Sequence, residues 1–311
     1  MEEEMSSRFH SQICGKLLGD GCIIKQTGRK PRFQFMHRID DYEWSNYCYM
    51  NLKSFIPLNG PKYKRANDKR VKRGFTESYM VQSRTSDIIT LLEKIWYYKK
   101  IKQIPSDYVD SYLNEEALAW WYQDDGHLKM ANGTPRKVIL STDNFTTSEN
   151  QQIIGILQQK FSLYFSLDSQ NRLILYNQSQ ILYFHQLVRP YLHSSMDRKV
   201  IKFNEENKVF SPKRTTIYLP TNIHIKKPTN EINLKLNLLP HLYKIIASRE
   251  SYLDFYKKRI LPLRTIQPRK SYQIIVEQKH WFYLNIIKKL TGLNYSEIVN
   301  LCFKLELTRQ I

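Results

Sequence analysis

Two segments of this chain resemble each other, and they constrain its fold more than any other feature. Ile13-Cys-Gly-Lys-Leu-Leu-Gly-Asp-Gly21 and Leu118-Ala-Trp-Trp-Tyr-Gln-Asp-Asp-Gly126 are both apolar, helix-length runs that end in a carboxylate followed by glycine. The glycine suits a left-handed cap that closes a helix. Asp20 and Asp125 stand 105 residues apart, and the stretches of chain after them are also alike. Alternating patterns predict strands at 22–26, 32–38 and 79–83, then at 136–141 and 172–176. Helical patterns come next at 42–55 and 87–97, then at 148–161 and 178–191. The same order occurring twice predicts an internal duplication. A length of 311 residues accommodates a duplicated unit plus an appendage.

The chemistry of the paired segments is specific. Gly15 and Gly19 are four apart, so they share one helix face and let another backbone approach closely. Ala119 and Gln123 hold the analogous spacing in the second segment. Two such helices side by side would bring Asp20 and Asp125 together at their C-terminal ends, where the partial charge is already negative. Carboxylates in that position suit a hard divalent cation, Mg²⁺ or Mn²⁺. Metal held between carboxylates and a phosphate is the arrangement for in-line phosphodiester hydrolysis. The main-chain carbonyls of Gly19 and Gln123, and Asp124 itself, are further candidate oxygen ligands. Either Asp-Gly alone reads as well as a helix stop as it does as a site; two at repeat spacing in a basic chain favour a site.

The chain is strongly basic, with 48 Lys and Arg against 29 Asp and Glu, a formal net charge of +19. That excess points to a polyanion, because Lys and Arg that neutralise phosphates release condensed counterions. Residues 206–311 are the more cationic part, with 19 basic and 7 acidic side chains, and a composition break falls at Ser211-Pro212-Lys213-Arg214. No run of 18 apolar residues is present, which excludes a transmembrane helix. Glu2, Glu3 and Glu4 give the N-terminus the wrong sign for a signal or transit peptide. The expectation is an intracellular protein of a bacterial or phage cytoplasm, or of an organelle matrix where encoded there. Cys14, Cys22, Cys48 and Cys302 form no CxxC pair, so neither a zinc site nor a disulfide framework is signalled.

The two segments resemble the paired motifs of a single-chain LAGLIDADG homing endonuclease, with the acidic residue of each in the penultimate position, at Asp20 and Asp125. Ile139-Leu-Ser-Thr-Asp-Asn-Phe145, Pro190-Tyr-Leu-His-Ser-Ser-Met196 with Lys199, and Ile95-Trp-Tyr97 through Lys102, Ile104 and Pro105 resemble further segments of that family. The resemblance covers about residues 8–205; Trp120 departs from it, standing where the family often has a small residue. It implies an α/β (α+β) fold, a pseudo-symmetric duplicated αββαββα core whose two antiparallel sheets form a saddle over the DNA major groove. The repeats would span 8–110 and 111–210. The resemblance also implies that Lys102 and Lys199 lie near the scissile phosphate. There they would polarise water or stabilise developing charge, or only contact phosphate.

The sequence offers a reading surface of its own. In Arg32-Phe-Gln-Phe-Met-His-Arg38, the set Arg32, Gln34, Met36 and Arg38 alternates with Phe33, Phe35 and His37. Arg32, Gln34 and Arg38 are thus candidates for base contacts, Arg to guanine and Gln to adenine. Lys62, Lys64, Arg65, Lys69, Arg70, Lys72 and Arg73 put seven cations in twelve residues, read as a loop that sits on phosphates and positions more than it specifies. Gln82, Arg84, Arg136 and Lys137 are further candidate DNA contacts.

Residues 211–270, punctuated by Pro212, Pro220, Pro228, Pro240, Pro262 and Pro268, read as a basic linker with one helix near 239–260. Residues 271–311 read as strand, helix, turn, helix. That order resembles a ribbon-helix-helix or helix-turn-helix module; the alternative is a small helical cap on the core. The basic C-terminal extension would be mostly helical. The sequence therefore predicts a monomeric, Mg²⁺-dependent endonuclease that cuts both strands of double-stranded DNA at a long asymmetric site. The alternatives are an RNA maturase that assists splicing of a host intron, and a non-cleaving DNA-binding protein. Two intact acids argue against the last.

Overall fold

The computed structural model describes residues 2–203, 213–264 and 267–307. Helix α1 (Glu2–Leu18) leads into β1 (Cys22–Ile24), β2 (Arg32–Arg38), α2 (Tyr42–Leu52), β3 (Lys62–Asn67), β4 (Phe75–Gln82) and α3 (Asp87–Trp96). A short hairpin, β5 (Tyr97–Tyr98) and β6 (Ile101–Lys102), and α4 (Ser106–Tyr112) intervene. The order then recurs as α5 (Glu115–Asp125), β7 (Gly126–Ala131), β8 (Thr134–Leu140), α6 (Thr147–Phe161), β9 (Ser166–Leu167), β10 (Leu173–Leu175) and α7 (Gln178–Val188). The sheets have the orders β1-β2-β4-β3 and β7-β8-β10-β9, the same permutation twice. Pairing is antiparallel throughout the first and across β8-β10-β9 in the second. The duplication expected from the paired motifs is therefore a duplication of topology.

Contacts divide the chain into two compact units. One comprises residues 1–129, 137–176 and 187–201, the other 130–136, 177–186 and 202–311. The first unit holds α1, α5 and the body of both sheets, so the two repeats share one core. Its sheet side follows from alternation: Phe33, Phe35 and His37 of β2 are buried, while Arg32, Met36 and Arg38 are exposed. Against the buried face lie residues such as Trp44, Cys48 and Leu52 of α2 and Ile89, Leu92 and Trp96 of α3. Helix α5 is buried from Glu116 to Gln123 without interruption, as a helix at the centre of a core must be.

Helices α1 and α5 make the most extensive helix–helix contact in the first unit. A Cβ added to Gly15 would lie 2.4 Å from the Ala117 carbonyl oxygen and 2.7 Å from the Trp120 Cβ. One added to Gly19 would lie 2.6 Å from the Asp124 Cβ. The face opposite the two glycines is thus Ala117, Trp120 and Asp124, not the Ala119 and Gln123 pair suggested by spacing. Trp120 does not hold the helices apart: its Cβ faces Gly15 and its ring lies edge-on to Trp44. Gln123 faces elsewhere, donating to the Ala119 and Tyr191 carbonyls and accepting from the His193 N–H. At the opposite end Glu116 accepts from Arg8 and Gln12, and Asn114 caps α5 through the Ala117 N–H.

The glycines after the acids do not act as expected. Neither Gly21 nor Gly126 has positive φ, and Gly126 is extended at φ −82°. They are required for space instead. A Cβ at Gly126 would fall 2.3 Å from the Tyr122 carbonyl oxygen, and one at Gly21 would fall 2.6 Å from that of Lys16. The chain turns back against the last helical turn so tightly that a side chain has no room.

Two further expectations are corrected. Lys62–Arg73 is not one loop: its first half is β3, paired with β4 from Lys62↔Met80 to Asn67↔Phe75. All six residues of β3 are exposed, and lysines on such an outer strand discourage edge-to-edge pairing. Residues 211–270 are not a linker. β11 (Lys213–Pro220), α8 (Pro228–Leu236), α9 (Leu239–Ala247), α10 (Arg249–Phe255) and a π turn at Tyr256–Ile260 occupy them. Pro228 and Pro240 stand in the first turns of α8 and α9, where a missing N–H costs nothing. The composition break begins at Ser211 and Pro212, which lie outside the described residues. β12 (Arg269–Val276), α11 (Gln278–Thr291) and α12 (Tyr295–Leu307) complete the chain.

The close approach at Gly15 makes a prediction. Gly15→Ala should destabilise the protein by about 1–3 kcal/mol, since its methyl meets backbone that cannot move aside. Gly155→Ala in α6 has open space around it and should stabilise by about 0.4–1 kcal/mol through unfolded-state entropy. Urea denaturation measures both, and equal effects would refute the packing argument.

Candidate active site

The C-terminal ends of α1 and α5 meet at a buried polar network. The Asp124 carboxylate accepts from the Lys16 ammonium (2.9 Å to each oxygen), the Trp44 indole N–H (2.8 Å) and the Asp20 backbone N–H (3.2 Å). His37 Nε2 lies 3.3 Å from Asp124 Oδ1 and 2.9 Å from Lys16 Nζ. The side chains of Lys16 and Asp124 are both wholly inaccessible to solvent. Burial alone would lower the lysine's pKa and raise that of the aspartate. Their mutual attraction reverses both, so Lys16 is shifted up and Asp124 down. His37 is shifted down by burial and the adjacent ammonium. Lys16 also sits 4.3 Å from the centre of the Phe35 ring, a cation–π contact.

Asp20 differs from Asp124 in every respect. A third of its side chain is accessible. Burial of the remainder, with Asp124 and Asp125 nearby, raises its pKa to about 8. Burial and Asp124 raise Asp125 to about 6, against the pull of Lys102 and Lys199. These two acids are crowded and incompletely neutralised, and the reason is visible in the nearby cations. Lys16 is committed to Asp124. Lys102 Nζ donates to the Gly21 carbonyl at 2.8 Å. Lys199 Nζ donates to the carbonyls of Tyr122 (2.9 Å), Gln123 and Asp124 (3.3 Å), closing the last turn of α5. Burial lowers both lysines to about 8. The two repeats thus each place one lysine on main-chain oxygens next to the acidic glycine turn.

A pair of oxygen-rich, under-neutralised carboxylates fits a hard divalent cation. Asp20, His37 and Asp124 bring ligand atoms within 4.8 Å of one another, yet Lys16 already bridges His37 and Asp124, so a cation there would have to displace an ammonium. The Asp124 side chain, a candidate ligand from sequence, is therefore taken up in packing, and its main-chain carbonyl accepts from Lys199. Lys16, His37 and Trp44 had no sequence signal beyond a lysine inside an apolar run. A cleft of about 380 Å³ opens beside the network, lined by Asp20, Arg38, His127, Arg198 and Lys199 among others. Arg198 closes one wall with a bidentate pair to Asp41 (2.8 and 2.9 Å).

The candidate DNA contacts sort by sheet face. Registers of Gln34↔Gln82 and Met36↔Met80 on one side of β4, and Lys62↔Met80 and Lys64↔Ser78 on the other, align side chains across three strands. Arg32, Gln34, Arg38, Gln82, Lys62 and Lys64 therefore share one face, and Gln82 Nε2 donates to Gln34 Oε1 at 3.0 Å. Arg65 is on the opposite face and stacks on Phe75. Lys69, Arg70, Lys72 and Arg73 form the β3–β4 turn; there Arg70 pairs with Asp68 and Arg73 with Glu77. Arg84 is exposed just beyond β4. Arg136 and Lys137 are neighbours on β8 and so point to opposite faces.

Comparison with known proteins agrees with this geometry. Residues 10–187 match the model of the LAGLIDADG DNA endonuclease family, and the chain belongs to that family. Its class of activity is site-specific DNA cleavage. It is similar to an uncharacterized protein of Methanocaldococcus jannaschii, 30% identical over 209 residues covering 64% of this chain and 75% of that one. It is also similar to the cytochrome b mRNA maturase bI2 of Debaryomyces hansenii, 28% identical over 60% of this chain and 71% of that one. In fold it is similar to the homing endonuclease I-WcaI bound to its DNA recognition sequence. That match has a TM-score of 0.56 and 23% identity, and covers 65% of this chain and 88% of that one.

The raised acids predict a pH dependence. In chelator-treated protein Asp20 and Asp125 retain protons to higher pH when folded than when unfolded. The folded state then binds excess protons from about pH 4 to about pH 8, and stability falls as pH rises through that window. Asp20→Asn should raise the melting temperature near neutral pH and flatten the decline. Thermal unfolding across the window measures both effects, and an unchanged slope would contradict the crowding.

Proposed function

We propose that this protein makes a metal-dependent double-strand break, each acid serving one strand of an asymmetric duplex site. The observation that carries the reading is the pair of under-neutralised carboxylates, Asp20 and Asp125, at the junction of two duplicated helices. Asp20 and Asp125, with the carbonyls of Gly19 and Asp124, would hold Mg²⁺ or Mn²⁺, which supplies Lewis acidity at the phosphate and an activated water. Lys102 and Lys199 keep buried ammonium groups beside the acids, where a phosphate's developing charge is stabilised without reorganisation. Arg32, Gln34, Arg38 and Gln82 face the base edges, with Lys62 and Lys64 on the same surface. The turn lysines Lys69 and Lys72 reach the backbone, as do the arginines beside them. The halves differ in sequence, so the site is asymmetric, and two adjacent major-groove contacts imply roughly 20 bp. A single chain supplies both halves, which supports a monomer.

Asp20→Asn and Asp125→Asn are each expected to retain DNA affinity and to lose plasmid linearisation with Mg²⁺. A mutant that linearises at the wild-type rate would remove that residue from the mechanism. On the reading face, Arg32→Ala or Gln34→Ala should cost about 1–3 kcal/mol against the preferred base pair. Lys69→Ala should weaken all sequences alike. Selection from randomised duplexes distinguishes them, and base preferences shared by all variants would sink the saddle assignment for β2. The maturase named among the relatives favours one second reading, assistance in intron splicing. It predicts that a host-intron transcript splices faster with the protein, including the Asp20→Asn form.

A further inference from the structure

The second unit carries a surface that the cleavage reading does not use. β11 and β12 pair over eight residues, from Lys213↔Val276 to Pro220↔Arg269. Their alternation buries Ile217, Leu219, Tyr272, Ile274 and Val276 on one face. The other face presents Arg214, Thr216, Tyr218, Ser271, Gln273 and Ile275, all exposed. Cross-strand neighbours on that face are Arg214 with Ile275, Thr216 with Gln273, and Tyr218 with Ser271. The ribbon is fixed from behind and from its edge. Asn233 donates to the Ile275 carbonyl (2.9 Å) and accepts from the Glu277 N–H (3.0 Å), and the Tyr218 N–H donates to Ser296 Oγ (2.9 Å).

We propose that this outward ribbon face enters the major groove of double-stranded DNA and reads base pairs outside the stretch contacted by β2. A two-stranded ribbon is one of the two elements the groove is wide enough to admit. The face has no acidic side chain, and residues 206–311 carry 19 basic against 7 acidic groups, so the duplex is the complementary partner. Its inventory matches base edges: Arg214 for guanine, Gln273 for adenine, Thr216 and Ser271 for either, and Ile275 for a thymine methyl. Arg269 and Lys270, exposed at one end of the ribbon, reach flanking phosphates. Duplex RNA is the poorer fit, because its major groove is too narrow and deep for side chains to read. The target is then composite, with one block of base pairs for the core and another for the ribbon.

The test selects binding sites for the full chain from a randomised duplex library longer than the core site. Arg214→Ala and Gln273→Ala are expected to lose selection by about tenfold or more at adjacent positions in a flanking block. The core block that responds to Gln34→Ala should be unchanged, and so should the thermal melt. Dimethyl sulfate probing of the wild-type complex should show a protected guanine N7 in the flanking block that Arg214→Ala exposes. Three results would overturn the proposal: preferences identical to wild type, a uniform loss at every position, or duplex RNA competing as well as DNA. A wild type that selects the flanking block but no core block would leave the ribbon assignment standing and count against the saddle instead.

Discussion

The fold turns on one contact, the packing of α1 against α5. Gly15 in α1 and Gly19 just past its end let the helices approach until backbone and Cβ atoms touch, and Lys16 and Asp124 form an ion pair inside that contact. Neither charge reaches solvent, so each depends on the other. Leaving either partner alone in such a place costs about 3–5 kcal/mol. The donors from Trp44 and the Asp20 backbone complete the pair, with His37 Nε2 beside both partners, and through them the network fixes the start of the turn that carries Asp20. The position of the accessible acid is therefore set by an inaccessible one.

This arrangement explains why neighbouring carboxylates behave oppositely. Asp124 has saturated oxygens and an ammonium at 2.9 Å, and its pKa is depressed. Asp125, the next residue, and Asp20 lack such partners and are raised. Repeat spacing singles out Asp125 as the counterpart of Asp20, but nothing in the sequence marks Asp124 as the buried half of an ion pair. Lys102 and Lys199 follow a related logic. Their hydrogen bonds go to main-chain carbonyls at the turns, where a cation also offsets the helix dipole, so they stabilise the fold in the place where they would act.

Much of the core was legible because its signals are local. The paired motifs gave the duplication, and alternation in 32–38 gave the buried and exposed faces of β2. What escaped the sequence depends on partners distant in the chain. The glycines after the acids look like left-handed caps, yet only the returning chain's distance from Tyr122 and Lys16 shows that volume is the constraint. β3 is all polar or exposed and has no buried face to announce it; pairing with β4 makes it a strand. β11 was hidden among prolines because its partner begins 49 residues after its last residue, at Arg269. The partner of Lys16 lies 108 residues away, and no pattern within α1 points to it.

The Lys16–Asp124 pair has a consequence for assembly. The position of Gly19 in the first motif corresponds to Asp124 in the second, and that of Lys16 corresponds to Trp121. Two copies of the first half would set the buried Lys16 ammonium opposite Gly19, without the carboxylate that Asp124 supplies. Two copies of the second would press carboxylates together where a glycine is needed for clearance. Only the mixed pairing satisfies both charge and volume, so the halves discriminate against themselves. The buried pair therefore favours the mixed pairing of unlike halves over the pairing of either half with a copy of itself.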